Sequence, residues 1–367
     1  MRILIVNYEY PPLGGGGGVL TQTLVRELAT RHEVTVLTSK APGLLPESYE
    51  DGARIVRVPV VRRTERERAS MASLLSFAPA ARRAGARILA AGEFDLVHTF
   101  FAVPSGPAGT ALARRAGLPH VLTLVGGDVY DPTRAISPER FAPMRAMVRR
   151  VVAASTAVTA ISTDLASRAV ALTGRSDIEV VACAAPPLAF PPRRRQRNGA
   201  CVFVTVARLV RRKALGAIVR SVPDGARLVV VGDGPERPTL ERAAAPGRVE
   251  FVGALDDANK LQALADADAF VLASLHEAFG IVYLEAMQAG LPVIAGSIGG
   301  QTDFLTQDNA VLVPPGDALR IEEAMRALAS DPARRRSMGE SARATAAAYT
   351  PPAMADAYER VYDKALR

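Results

Sequence analysis

The sequence predicts an α/β protein of two domains, each a parallel sheet covered by helices on both faces. Three observations lead there. At about 150 residues per domain, a chain of 367 residues holds roughly two cores, and 49% of it is apolar. Short β-branched runs alternate with Ala/Leu/Arg stretches of helical length, the pattern of βαβ units. A Pro- and Arg-rich segment breaks that pattern near the middle of the chain.

The strands expected in the first half are residues 2–6, 33–38, 55–59, 96–98, 120–124, 157–160 and 179–181. In the second half they are 200–206, 227–231, 249–252, 269–272, 293–294 and 310–313. Many are unbroken apolar runs, as expected where helices cover both faces of a sheet. The division is a first domain at 1–185, a linker at 186–199, a second domain at 200–349 and a closing helix at 350–367, with a crossing of that helix back to the first domain left open. Four prolines, four arginines and a glycine in the linker cannot make a core element. In doubly wound sheets ligands bind beyond the carboxyl ends of strands, so two such Rossmann-like sheets facing each other would surround one cleft.

Composition excludes several classes. No apolar run nears the roughly 18–20 residues that span a bilayer. The opening apolar stretch ends at Asn7, too short for a signal peptide, so the expected location is cytoplasmic. Cys183 and Cys201 make neither a disulfide framework nor a zinc site and read as packing residues. Only four of the 45 basic residues are lysines: Lys40, Lys213, Lys260 and Lys364. So strong an arginine bias makes the formal charge of +8 poor evidence for nucleic-acid binding. Its distribution says more: residues 1–190 carry 22 basic and 16 acidic residues, net +6, and the rest 23 and 21, net +2.

After the first strand, Gly14 to Gly18 precede a helix expected at 19–30. Glycines opening a helix let bare N–H groups approach an anion. The loop is not a dinucleotide fingerprint: no frame gives G-x-G-x-x-G or its Ala form, and the second strand ends at Thr38-Ser39 without an acid for a ribose. In the second half, three post-strand loops stand out. Arg208 can fork onto phosphate oxygens and Lys213 adds a compact charge, although a solvated basic loop carries the same residues. Gly232-Asp233-Gly234-Pro235 reads as a tight turn. Glu277 and Glu285, separated by seven residues, bracket a helix start near Gly280 and Ile281, where free N–H groups suit a diphosphate.

Together these loops resemble the GT-B fold of retaining glycosyltransferases, family four. The resemblance spans nearly the whole chain. It rests on Glu277-Ala278-Phe279-Gly280 with Glu285, on Arg208-Leu209 with Lys213, on Gly232-Asp233-Gly234-Pro235, on Phe251-Val252-Gly253, on Gly299-Gly300, on the ending Tyr358 and Tyr362, and on Gly17-Gly18 with 31–38 at the front. It implies an EC 2.4 enzyme that moves a sugar from a nucleotide-diphosphate donor to an acceptor hydroxyl. Arg208 and Lys213 would neutralise the leaving diphosphate, so no metal is implied. Glu285 would hold the ribose, and Glu277 with backbone of Phe279, Gly280 and Ile281 the sugar. The base would lie near Val252, Gly253 and Leu255, and Gly16, Gly17 and Gly18 would face the phosphate from the other domain. The acceptor side departs from the family: His98 is kept but Phe100 replaces a second histidine, and Val125 replaces a histidine ahead of Asp128. His98 and Asp128 join the catalytic candidates, although a histidine at a strand end such as His98 is more often a core residue.

Front-face transfer is implied, in which the departing phosphate oxygen takes the acceptor proton; no paired carboxylates are placed for hydrolysis. A nucleotide-sugar epimerase and a catalytically weak nucleotide-sugar-binding protein are the alternatives on this fold. Partners are the donor and an unidentified acceptor, not nucleic acid. Arginines in the first half, at 62–68, 82–83 and 145–150, fit either solvated helix faces or peripheral contact with an anionic membrane.

Overall fold

The structure, a computed structural model, describes residues 1–63, 70–194 and 199–367. Most of the basic run at 62–68 and part of the linker, 195–198, lie outside the described residues. The chain divides into two compact units. One comprises Met1–Ala184 with Pro351–Arg367, the other Ala185–Thr350. The closing helix thus belongs to the first unit.

In chain order the first unit contains β1 (Arg2–Val6), α1 (Gly16–Leu28), β2 (Glu33–Ser39), β3 (Glu47–Glu50), β4 (Ala53–Val58), α2 (Met71–Ala91), β5 (Leu96–Phe100), α3 (Gly106–Ala116), β6 (His120–Leu124), α4 (Ala142–Ala153), β7 (Ala157–Ala160), α5 (Thr163–Thr173) and β8 (Ile178–Val180). The sheet runs β3-β4-β2-β1-β5-β6-β7-β8, parallel except for the β3–β4 hairpin. Strand β3 was not expected. Its Glu-Ser-Tyr-Glu sequence has no apolar run, because it is an edge strand of partly exposed residues. The Asp51-Gly52 pair that turns it, both with positive φ, is the one local hairpin signal.

Helix α1 starts at Gly16, three residues before its expected start. Packing overrides glycine's low helix propensity there: a Cβ on Gly17 would come within 2.3 Å of the Phe101 ring. Register fixes the two faces of the sheet, since Leu4 pairs with Val97 and Ile5 with His98. The Leu4/Val97 face packs under Phe77 and Ala81 of α2 and Leu112 of α3. The Ile5/His98 face receives the closing helix through Tyr358 and Tyr362.

The second unit contains β9 (Cys201–Val206), α6 (Leu215–Arg220), β10 (Ala226–Val231), α7 (Arg237–Ala243), β11 (Val249–Gly253), α8 (Asp257–Asp266), β12 (Ala269–Leu272), α9 (Ile281–Gln288), β13 (Val293–Gly296), β14 (Ala310–Val313), α10 (Ala318–Ser330) and α11 (Pro332–Ala346). Then α12 (Pro351–Leu366) rejoins the first unit. The sheet runs β11-β10-β9-β12-β13-β14 and is fully parallel. In each sheet one central strand has neighbours on both sides that are reached by opposite windings, β1 between β2 and β5 and β9 between β10 and β12. Such reversal points open crevices at the carboxyl ends of the strands. Among the described residues no helix is long and apolar enough to cross a membrane.

Candidate active site

The reversal point of the second sheet lies between the loops that leave β9 and β12. The β9 loop is built by backbone contact. Leu209 N–H donates to the Asp233 carbonyl at 2.9 Å, and Glu236 N–H to the Leu209 carbonyl at 3.0 Å. Gly232 and Gly234 permit this approach, for a Cβ would stand 2.0 Å from the Ala207 carbonyl oxygen or 2.4 Å from that of Leu209. The expected tight turn is therefore also the brace that holds the Arg208 loop. Leu209 is buried and anchors it, while Arg208 points to solvent with no side-chain partner among the described residues.

Lys213 closes the same loop and meets Glu277 from the β12 loop, Nζ to Oε1 at 2.6 Å. Ser274 Oγ donates to the same oxygen at 2.5 Å. Glu277 is 5% exposed. Burial raises its pKa, but the charges of Lys213 and Arg212 and hydrogen bonds from Lys213 and Ser274 outweigh it, holding the carboxyl below its ordinary value. The backbone of Glu277 is clamped too: its carbonyl accepts Gly300 N–H at 2.8 Å and it bridges in parallel to Gly299. Gly299 has φ +118°, and a Cβ there would meet that carbonyl at 2.5 Å.

Phe279 is buried against Phe304 and Tyr349, with ring centroids 5.0 and 6.0 Å away. Gly280 takes φ +92° and caps α9, whose first residue is Ile281. Tyr283 is buried one turn on and donates its hydroxyl to the Leu272 carbonyl at 2.7 Å, tying α9 to the end of β12. Glu285 is further along α9, and its Oε1 accepts from Lys260 Nζ at 3.1 Å. Val252, Gly253 and Leu255, at the end of β11, are partly exposed. The structure thus brings Lys213, Glu277 and the α9 start together. Sequence reasoning missed three contributors. Arg212 lies between Arg208 and Lys213, Ser274 three residues ahead of Glu277, and Lys260, two elements away from Glu285, is marked only by the rarity of lysine in this chain.

The reversal point of the first sheet is made differently. Of the three glycines singled out there, Gly17 and Gly18 are buried and only Gly16 opens to solvent with nothing within 4 Å of a Cβ. Gly15 N–H donates to Glu9 Oε2 at 3.2 Å. Asp128 is 4% exposed and accepts from Ala102 N–H at 2.8 Å, Gly126 N–H at 2.8 Å and Val125 N–H at 3.2 Å. Burial pushes its carboxyl above the ordinary value against those bonds. His98 is fully buried; Nδ1 lies 2.7 Å from Tyr362 Oη and Nε2 2.8 Å from Thr123 Oγ1. Burial, with repulsion from His120, lowers its pKa to about 3. Phe100 packs on His98 with ring centroids 4.4 Å apart. Cys183 and Cys201 are buried.

Comparison with known proteins identifies the family and the fold. Residues 14–187 match the model for glycosyltransferase family 4, and residues 190–345 the model for glycosyl transferases group 1. The chain is 30% identical over 376 residues to a GDP-mannose-dependent alpha-(1-6)-phosphatidylinositol monomannoside mannosyltransferase of Mycolicibacterium smegmatis, covering 93% of this chain and 92% of that protein. It is 29% identical over 371 residues to a glycogen synthase of Mycobacterium tuberculosis, covering 94% and 89%. Among solved structures, sucrose-phosphate synthase from Thermosynechococcus elongatus superposes with a TM-score of 0.86 at 22% identity, over 99% of this chain and 98% of that one. Anabaena HepE in complex with UDP and glucose gives 0.75 at 18% identity, over 99% of each. These two show the GT-B fold.

Proposed function

The chain belongs to glycosyltransferase family 4, and from that premise we propose that Arg208, Lys213 and Glu277 perform its sugar transfer. It is a retaining glycosyltransferase that uses a nucleotide-sugar donor. The observation that carries the assignment of residues is the pairing of Lys213 with the buried Glu277 at the reversal point, beside the N-terminus of α9 and in the same loop as the exposed Arg208.

In this reading Arg208 forks onto the donor diphosphate and Lys213 adds a point charge, with the first N–H groups of α9 completing the anion site. Glu277, ionised and fixed by Lys213 and Ser274, accepts hydrogen bonds from sugar hydroxyls beside Phe279, Gly280 and Ile281. Glu285 holds the ribose, and the backbone at Val252, Gly253 and Leu255 supports the base. Of Gly16, Gly17 and Gly18, only the exposed Gly16 is left to offer an anion contact from the first unit, at the start of α1. As the sugar–phosphate bond loosens, negative charge grows on the diphosphate, where Arg208 and Lys213 offset it, and the departing oxygen takes the acceptor's proton. The cations are the protein's own, so no metal is needed. In the first unit His98 and Asp128 act by holding loops, since both are enclosed and bonded.

The test is a calorimetric titration with UDP, GDP, ADP, dTDP and CDP in EDTA, with the monophosphates as controls. Tight binding of one diphosphate, much weaker for its monophosphate, is expected. A folded protein that binds none of them loses the donor assignment.

A second observation bears on where the acceptor comes from. Helices α2, α3 and α4 carry eight arginines and no acidic residue. Among the described residues none of the eight pairs with a carboxylate. Arg82, Arg83, Arg114 and Arg115 line a groove of about 610 Å³. Met71 and Leu75, one turn apart at the start of α2, are exposed. A basic layer with an apolar edge fits peripheral docking on an anionic membrane, from which a lipid-linked acceptor would be drawn.

A further inference from the structure

Lys260 has no part in the reaction as described above, yet it contacts one of the two glutamates that define the site. Nearly every cation of this chain is an arginine, and only four of 45 are lysines. Two of those four are on the two site glutamates: Lys213 on Glu277 at 2.6 Å and Lys260 on Glu285 at 3.1 Å. Arginine and lysine differ in a way that matters here. A guanidinium presents a broad planar fork that engages both oxygens of a carboxylate, whereas an ammonium is a compact charge that can hold one oxygen and leave the other free.

The two side chains are 20% and 17% exposed, so their attraction is less screened than that of a surface pair. The other acid near Lys260, Asp257, is 3.4 Å away and almost fully exposed, and adds little. Lys260 is also rigidly placed. It lies in the first turn of α8, whose start is capped by Asp256 accepting from Asn259 N–H at 2.8 Å. That helix follows directly on Val252, Gly253 and Leu255, the segment assigned to the base.

We propose that Lys260 is a positioning residue for the nucleotide ribose, holding Oε1 of Glu285 so that its other oxygen faces the ribose hydroxyls. One contact then ties the ribose-binding carboxylate to the element that supports the base, and sets the distance between them. The inference rests on the reading that Glu285 binds ribose.

The experiment compares the tightest-binding nucleoside diphosphate with its 2′-deoxy and 3′-deoxy counterparts by calorimetry. Wild type, Glu285→Gln and Lys260→Met are measured, each checked for an unchanged thermal transition. Wild type should prefer the ribonucleotide by about tenfold, the worth of one hydrogen bond to a charged group. Both variants should lose most of that preference, while Lys260→Met changes binding of the deoxynucleotides by less than about twofold. If Glu285→Gln loses the preference and Lys260→Met keeps it, the positioning role is overturned and the ribose reading survives. If Glu285→Gln keeps the preference, the ribose reading falls and takes this inference with it.

Discussion

At the reversal point of the first sheet, Gly17 packs on the Phe101 ring, Asp128 is filled by three backbone N–H groups, and His98 has both ring nitrogens occupied. At the corresponding point of the second sheet, Lys213 faces Glu277, Lys260 faces Glu285, and Arg208 is left open to water. Both places follow from the same winding rule, and both contain titratable residues at strand ends. They differ in what those residues are bonded to. In the first unit the partners are backbone N–H groups and hydroxyls, so the polar groups hold loops together and keep little capacity for a ligand. In the second the partners are opposite charges next to a helix N-terminus, an arrangement that stays polarised toward an incoming anion. Position in the fold marks a crevice, and the bonding of its residues separates scaffold from chemistry.

The sharpest way to break this contrast is Lys213→Ala. Release of the diphosphate from the donor should slow by about 10²–10³, the effect of losing one preorganised charge-stabilising donor. Glu277 would also lose its partner while buried, which costs about 3–5 kcal/mol of stability. Combining Lys213→Met with Glu277→Gln should recover much of the stability but none of the turnover. Normal turnover in Lys213→Ala would mean that the pair is scaffold like its counterparts in the first unit.

The next effect belongs to the first unit. Burial holds His98 and His120 neutral, with pKa values lowered to about 3 and about 4. An unfolded histidine titrates near about 6.5, so below that pH the unfolded chain binds protons that the folded chain refuses. Stability should therefore be full above that pH and fall as the medium is acidified, by about 1.4 kcal/mol per pH unit for each histidine. Urea midpoints at pH 7, 6 and 5 measure the slope before carboxylates take part. His98→Phe should lower the midpoint at pH 7, since Tyr362 and Thr123 lose a partner, yet flatten the slope by one histidine's share. It should leave nucleoside diphosphate affinity unchanged. Equal slopes in the two proteins would contradict a buried neutral His98.

Much of this was legible in the sequence, for reasons that differ by residue. Strands such as β1 and β12 lie under helices on both faces, so burial wrote itself into the chain as unbroken apolar runs. Strand β3 escaped because an exposed edge needs no such run. The start of α1 was misplaced because its glycines are selected by the neighbouring Phe101, a contact across 84 residues that local propensity cannot report. Glu277 and Lys213 stood in recognisable loops. Lys260 did not, because its partner lies 25 residues away in another helix and only packing joins them. The enclosure of His98 depends on Tyr362, 264 residues further on, so its core role and its chemical role could not be separated before the fold was known.

If the crevice of the first unit is a bonded scaffold, the free charge of that unit must act elsewhere, and the layer of α2, α3 and α4 is where it lies. Each arginine near an anionic bilayer contributes about 1 kcal/mol, so Arg83→Gln should weaken partition onto vesicles of mixed neutral and anionic lipid by about fivefold. Raising the salt concentration should weaken it further, because the attraction acts over about a Debye length. Met71→Ser should lower binding without changing its salt dependence, as an apolar contact would. Neither change touches the second unit, so diphosphate affinity should hold in both. Wild-type protein that stays in solution beside anionic vesicles at low salt would remove the membrane from this account. The eight arginines, which have no carboxylate partner among the described residues, would then have to serve a soluble anionic acceptor, and the first unit's chemistry would move from its crevice to its helical face.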